Sequence, residues 1–191
     1  MKLTYSFFKN KKTLELAKEL IGKVLVYKTP QGILKGIINE TEAYTEQDES
    51  CHAFGGKKTP RNETMFKKAG HLYVYFTYGM YHCCNIVTGE KDKGEAVLIR
   101  SIIPIKGIDI MKKNRKLNTL KNLTNGPAKL CIAFGINKKH DKLNLLDKNS
   151  KIYLEEKNYK PKKIKQTKRI GISKSKDLEW RFICLEFGNY D

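Results

Sequence analysis

Two glutamates on a short, β-branched segment are the side chains of this chain best placed for acid–base chemistry. In the segment 37–44, Ile-Ile-Asn-Glu-Thr-Glu-Ala-Tyr, strand alternation puts Glu40, Glu42 and Tyr44 on one face, with the carboxylates roughly 6–7 Å apart. Like charges at that distance resist joint ionisation, whereas a neighbouring arginine keeps a carboxylate charged and able to accept a proton. The alternative interpretation is an exposed, charged strand end without a chemical role.

Arginine is scarce, and one arginine stands in an apolar setting. Only five of the 38 basic residues are arginines: Arg61, Arg100, Arg115, Arg169 and Arg181. A position that keeps arginine in such a chain needs a planar, permanently charged fork. Arg100 lies within the apolar run Val97–Ile103, where a charge requires a partner. A phosphate or a carboxylate of the glutamate strand would serve, and a purely structural Arg–Glu pair would fit the same pattern.

A tyrosine-rich stretch, Leu72–Val87, predicts a β-hairpin. Tyr73 and Tyr75 share one strand face, which suits either a core or an aromatic binding wall. Tyr78 adjoins the turn glycine, where burial is difficult, so it could act as a wedge between base steps. Asn85 stands on an otherwise apolar strand and is either a satisfied buried amide or a reader of base edges.

The predicted elements favour an α+β fold with a curved, mostly antiparallel sheet, a protruding β-hairpin and a few short helices, because regular strand–helix alternation is missing. Predicted strands are Val24–Tyr27, Ile33–Tyr44, Leu72–Thr77, Tyr81–Val87, Ala96–Ile103, Ile152–Glu155, Ile164–Ile172 and Phe182–Phe187. The first predicted helix begins after an N-cap at Thr13 and stops at Gly22. Two further helices are predicted at Pro104–Lys113 and Asn125–Phe134. The polar segment Gln47–Asn62 predicts a long surface loop of the kind that carries binding residues.

Size and composition predict one domain over residues 1–191, since 40% hydrophobic content suffices for a single core. Neither a signal-peptide core nor a membrane-spanning run is present, so we expect a cytoplasmic protein, nucleoid-associated if bacterial. Five cysteines without C-x-x-C spacing indicate a reducing compartment and argue against a disulfide framework or a zinc cage. We expect no metal and no cofactor.

The charge balance indicates a polyanionic partner. The chain has 38 basic and 20 acidic side chains, a formal net charge of +18. Such a field concentrates nucleic acid near the surface. Membrane phospholipid, or solubility alone, are the competing interpretations of the surplus.

These residues together resemble one known family, the alkyladenine (3-methyladenine) DNA glycosylases of bacteria and animals, over nearly the whole chain. The matching strings are Glu40-Thr-Glu-Ala-Tyr44, Thr59-Pro-Arg-Asn62 with Met65-Phe66, Leu72-Tyr-Val-Tyr75 with Tyr78-Gly-Met80 and Cys83-x-Asn85, Leu98-Ile-Arg100, and Gly126-Pro-Ala-Lys-Leu-Cys131. The resemblance implies a monomeric, monofunctional hydrolase that excises damaged purines from duplex DNA and leaves an abasic site. It implies that Glu42 is the general base that activates water and that Arg100 helps to hold that water.

The resemblance also implies the parts of a base pocket. Tyr44 and His52 correspond to one wall, Tyr75 to the opposite stacking wall, and Asn85 to a group that excludes normal guanine. Tyr78 corresponds to the intercalating residue that fills the gap left in the duplex. The segment from Tyr44 to His52 is one residue shorter than the familiar pattern.

Cationic lesions such as 3-methyladenine and 7-methylguanine leave without protonation, whereas hypoxanthine or ethenoadenine would need a proton donor, which the sequence does not identify. Two other functions stay open at this point. A noncatalytic nucleic-acid-binding protein, such as a ribosome-associated one, suits the charge and the tyrosines but leaves the glutamates unexplained. A carbohydrate-active hydrolase would use the paired carboxylates but gives the basic surplus no role.

Overall fold

A curled antiparallel sheet forms the framework of the protein in the computed structural model, which describes residues 1–157, 159 and 161–186. Within these residues the strands are β1 Val24–Thr29, β2 Gly32–Tyr44, β3 Leu72–Thr77, β4 Tyr81–Val87, β5 Ala96–Lys106, β6 Ile152–Glu155, β7 Ile164–Thr167 and β8 Arg181–Cys184. The helices are α1 Tyr5–Phe8, α2 Thr13–Glu19, α3 Ile108–Arg115 and α4 Pro127–Phe134, with 3-10 turns at Phe54–Gly56, Glu63–Phe66 and Lys138–His140. The predicted α+β class and antiparallel sheet are confirmed.

Strand β2 is the centre of this sheet. The spatial order is β3-β4-β5-β2-β1-β6, and β8 pairs with both β2 and β7. The first half of β2 pairs with β1, residues 40–42 pair with β8, and β5 runs along almost its full length. Side chains near the end of β2 are therefore surrounded by strands on both sides.

A β-bulge interrupts the pairing of β2 with β5 beside the two glutamates. Glu40 lies opposite Ser101 and Thr41 lies opposite Ile99, which leaves Arg100 as the extra residue. Bulges bend a strand and redirect one side chain. Here the bulge lets the Arg100 side chain reach the carboxylates of β2 although its strand neighbours Ile99 and Ser101 are buried.

Helices α2 and α4 cover one face of the sheet and close the main core. Leu16 of α2, Leu130 and Phe134 of α4 and Phe182 of β8 are each at most 1% exposed. Gly135, in the left-handed region at φ 70°, ends α4 as the sequence predicts. No helix in the described part of the chain is long and apolar enough to cross a membrane.

Two predicted elements have wrong bounds, one at its start and one at its end. The helix predicted at Pro104–Lys113 begins only at Ile108, because β5 continues to Lys106 and Pro104 pairs with β2 at an irregular position, where the missing N–H is tolerated. The strand predicted at Ile164–Ile172 stops at Thr167. Beyond it the chain leaves the sheet and Gly171 adopts a left-handed φ of 77°.

Smaller differences occur at other element ends. Thr13 lies inside α2 and does not cap it, because its hydroxyl bonds the Thr88 hydroxyl at 2.9 Å. Strand β8 covers Arg181–Cys184, where the sequence predicts Phe182–Phe187, and Phe187 lies outside the described residues.

We predict that Phe134→Ala destabilises the protein by about 3–5 kcal/mol, because it removes a fully buried ring and leaves a cavity between α4 and the sheet. Urea unfolding followed by circular dichroism measures the loss. Phe54→Ala is the matched control: Phe54 is 47% exposed, so the change should stay within about 0.5 kcal/mol. Equal effects of the two substitutions would contradict this description of the core.

Candidate active site

A cavity of about 610 Å³ opens beside the end of β2, and it gathers every residue that the sequence predicts for the site. The predicted residues that line it are Glu42, Tyr44, His52, Tyr75, Tyr78, Asn85 and Arg100. They come from β2, β3, β4, β5, the β3–β4 turn and the segment after β2. In the described part of the chain, no group of three or more His, Cys, Asp or Glu side chains is placed to hold a metal ion.

Glu42 lies at the floor of this cavity and is fully buried. Its Oε2 accepts hydrogen bonds from the Tyr44 hydroxyl at 2.9 Å and from Arg100 Nη1 at 3.3 Å. Its Oε1 accepts from the backbone N–H of Ile170 at 2.8 Å. The carboxylate is thus shielded from bulk water and held by three donors.

Arg100 connects the two carboxylates of the glutamate strand. Its Nε donates to Glu40 Oε1 at 2.8 Å, and the same oxygen accepts from Arg181 Nε at 2.6 Å. Burial lowers the pKa of Arg100, but the charges of Glu42 and Glu40 outweigh burial and raise the pKa above its ordinary value. The predicted carboxylate partner of Arg100 is therefore present. Arg100 and Glu42 both line the cavity, whereas Glu40 lies outside its lining.

Aromatic side chains form the walls. The rings of His52 and Tyr75 meet edge to face with centroids 4.6 Å apart, and Tyr73 lies 5.5 Å from Tyr75 at a tilt of 32°. Burial raises the pKa values of the Tyr44, Tyr73 and Tyr75 phenols, so these groups stay uncharged at neutral pH. The walls therefore present polarisable, neutral surfaces suited to a flat ring.

His52 is also neutral, although the residue is exposed at the cavity rim. Burial of its ring, followed by the positive charge of Arg61, lowers the pKa of His52 to about 4. Its Nδ1 lies 2.8 Å from the hydroxyl of the buried Tyr73. This bond joins a neutral phenol to a neutral imidazole, and the imidazole tautomer decides which of the two donates.

Asn85 and Cys83 of β4 complete the wall. Asn85 is 4% exposed, and its Nδ2 donates to the Tyr73 carbonyl at 3.2 Å, so it is a partly satisfied buried amide that also lines the cavity. Cys83 is buried beside Tyr75, and burial raises the pKa of its thiol to about 11. The other four cysteines are likewise free and buried, and burial raises the pKa of Cys51 to about 12.

Tyr78 stands at the rim, at the tip of the hairpin. It is 80% exposed and adopts a left-handed φ of 51°, followed by Gly79 at 66°. The neighbouring Met80 is 64% exposed. The turn therefore projects apolar groups into solvent beside the cavity mouth, which agrees with the predicted protruding hairpin.

The segment Gln47–Asn62 lies mostly at the surface, as the sequence predicts, and a few buried residues anchor it. Asp48, Cys51 and Ala53 are buried, and the Asn62 amide donates to the carbonyls of His52 and Lys57 at 2.6 and 2.9 Å. These bonds hold the backbone of His52 in place.

Residues 170–174 form a further wall that the sequence reasoning missed. Arg61 also lines the cavity, with its guanidinium carbon 5.9 Å from the centre of the Tyr75 ring. Arg169, just before the missed wall, is buried. The scarcity of arginine in a lysine-rich chain is the sequence signal that points to Arg61 and Arg169.

Comparisons with known proteins agree with the resemblance drawn from the sequence. A model of the methylpurine-DNA glycosylase (MPG) family matches residues 6–186. A protein of Francisella tularensis subsp. tularensis named 3-methyladenine DNA glycosylase is 49% identical over 173 residues, which cover 90% of this chain and 89% of that protein. Similarly named proteins of Clostridium botulinum and Clostridium perfringens are 44% and 43% identical over 196 residues, with 95% of each chain covered.

The chain is therefore an enzyme of the DNA glycosylase class, and it acts in the repair of alkylated bases. It belongs to the methylpurine-DNA glycosylase family. This membership confirms the family named from the sequence, and it displaces the noncatalytic binding protein and the carbohydrate hydrolase as interpretations.

We predict that Arg61→Gln raises the pKa of His52 from about 4 toward the ordinary histidine value, because it removes a positive charge that disfavours the imidazolium form. A titration of the ring signals by nuclear magnetic resonance (NMR) between pH 4 and 6.5 measures the shift. His140 is the control, since burial and Lys139, not Arg61, lower its pKa. A His52 titration unchanged by the substitution would refute the proposed role of Arg61.

Proposed function

We propose that the protein flips methylated purines out of duplex DNA into the cavity and hydrolyses the N-glycosidic bond with a water activated by Glu42. The observation that carries the proposal is a buried carboxylate, paired with an arginine, at the floor of a cavity with aromatic walls. An enzyme that acts on a base inside a duplex must extrude the nucleotide, and a pocket with aromatic walls favours that state by stacking.

Glu42 has the hydrogen-bonding arrangement that a general base needs. Donors from Ile170, Tyr44 and Arg100 bind both of its oxygens and orient the carboxylate. With one donor on Oε1, that oxygen keeps acceptor capacity for a proton from water. Arg100, which contacts the other oxygen at 3.3 Å and also lines the cavity, helps to hold that water. The same carboxylate stabilises the positive charge that builds on the sugar.

The walls favour cationic bases, and we propose 3-methyladenine and 7-methylguanine as substrates. Such bases are already charged and leave without protonation. Neutral Tyr75 and Tyr44 attract a stacked cation through their ring quadrupoles, and His52 adds no opposing charge at neutral pH. Hypoxanthine and ethenoadenine would have to gain a proton first, so we expect slower release of these neutral lesions.

The same cavity has to exclude undamaged purines, and we propose that Asn85 contributes to this exclusion. Its amide is buried and oriented by the Tyr73 carbonyl. A buried polar group left without a partner by an ill-fitting base costs about 1–3 kcal/mol, which is enough for useful discrimination against guanine.

Tyr78 and the surface charge would serve the DNA itself. We propose that the exposed Tyr78 ring enters the stack in place of the flipped nucleotide. The net charge of +18 supplies attraction to the phosphates.

Glu42→Gln tests the general base. We expect release of methylated purine from alkylated duplex DNA under single-turnover conditions to fall by about 10²- to 10⁴-fold, while affinity for lesion-containing duplex persists. Free methylated base and alkali-labile sites are the readouts. Glu155→Gln, which breaks a surface pair with Lys35 on β2, is the matched control and should release base at the wild-type rate. Normal turnover by Glu42→Gln would refute the role of Glu42 as the general base. If the wild type released no methylated base, the proposed reaction would be refuted.

Tyr78→Ser tests the wedge. Loss of one aromatic stacking contact, worth about 1–3 kcal/mol, should weaken binding to lesion duplex by roughly 5- to 150-fold without loss of thermal stability, because the side chain is exposed. Fluorescence anisotropy measures the affinity. Tyr153→Ser, on β6 at the far edge of the sheet, serves for comparison and should bind like the wild type. Unchanged affinity of the Tyr78 variant would show that the ring does not enter the duplex.

A further inference from the structure

Asp48 and Arg169 form a buried ion pair outside the cavity lining. Arg169 packs against the Tyr44 ring and directly precedes Ile170, and both of these residues donate a hydrogen bond to Glu42. We propose that Arg169 is a positioning residue that, fixed by Asp48, sets one hydrogen-bond donor on each oxygen of Glu42. The inference rests on the proposed role of Glu42 as the base and deepens it.

The pair is completely buried, with both side chains at 0% exposure. Arg169 Nη2 donates to Asp48 Oδ1 at 3.0 Å, and Nη1 donates to the other Asp48 oxygen and to the Ala43 carbonyl at 3.0 Å. Arg169 Nε has no partner among the described residues. A buried pair adds little stability over an apolar replacement, because desolvation cancels much of the attraction. Stability alone is therefore a weak reason for this arrangement, whereas fixing a geometry is a strong one.

The first donor that Arg169 sets is the backbone N–H of the next residue. Ile170 N–H donates to Glu42 Oε1 at 2.8 Å. Strand β7 has ended at Thr167 and β8 has not begun, so sheet pairing does not hold this stretch. The Ile170 side chain is 49% exposed and anchors little. The buried hydrogen bonds of the Arg169 guanidinium to Asp48 and to the Ala43 carbonyl therefore hold the backbone next to Ile170.

The second donor is the hydroxyl of Tyr44. The guanidinium carbon of Arg169 lies 4.7 Å from the centre of the Tyr44 ring and 5.2 Å from that of Trp180. Tyr44 in turn donates to Glu42 Oε2 at 2.9 Å. A planar cation against the ring fixes the direction in which the phenol points. One side chain thus restrains a donor to each carboxylate oxygen.

A neutral double variant, Asp48→Asn with Arg169→Gln, removes the fork without leaving one charge buried alone. We expect lesion affinity to remain within about twofold while the single-turnover rate of base release falls by about 10- to 100-fold, because Glu42 loses its orientation. Arg169→Lys keeps the ion pair, and with it the fold, but loses the planar fork, so it should show the same split with a smaller fall. Lys35→Gln with Glu155→Gln neutralises a pair on β2 and β6 away from the cavity and should leave both quantities unchanged.

A spectroscopic signature separates positioning from a general structural role. In the wild type the Ile170 amide proton should exchange slowly with solvent, because it bonds to a buried carboxylate. In Arg169→Lys the same proton should exchange at least about tenfold faster. The amides of β4 and β5 should keep their protection in this variant. Wild-type release rates and an unchanged Ile170 amide in Arg169→Lys would overturn the inference. A proportional loss of affinity, release and strand protection would overturn it equally. Failure of the wild type to release any base would instead refute the proposed function.

Discussion

The constraint on which this structure depends is a carboxylate that the protein shields from bulk water. Charge in an apolar interior is tolerated only when opposite charge and hydrogen-bond donors surround it. Glu42 meets that demand with donors from β2, β5 and the segment after β7. The central position of β2 makes this possible, because strands on either side of it supply Arg100 and Arg181 to the same cluster.

Local pattern sufficed for the type and order of most elements and for the grouping of the two glutamates with Tyr44 and Arg100. Alternation placed Glu40, Glu42 and Tyr44 together, and the structure links them through Arg100 and the Tyr44–Glu42 bond. The apolar run around Arg100 correctly indicated a buried partner. Residue type and spacing carry such information because they depend on strand geometry alone.

What could not be predicted depends on contacts between distant parts of the chain. The bulge that frees Arg100 is a mismatch between two strands and has no signature within either one. Ile170 follows a run with strand character, yet Arg169 turns inward to a partner 121 residues away and Gly171 turns the backbone out of the sheet. Local sequence patterns thus predict the sheet, whereas the cavity wall at residues 170–174 depends on tertiary contacts.

The buried thiols have a consequence for the cell conditions in which this enzyme is needed. Alkylating agents that damage purines also attack sulfur, and they attack the thiolate far faster than the thiol. Cys83 lines the cavity and Cys51 directly precedes His52, yet burial keeps both protonated, with pKa values of about 11 and 12. Burial thereby lowers the reactivity of these two thiols toward the same electrophiles that alkylate DNA bases.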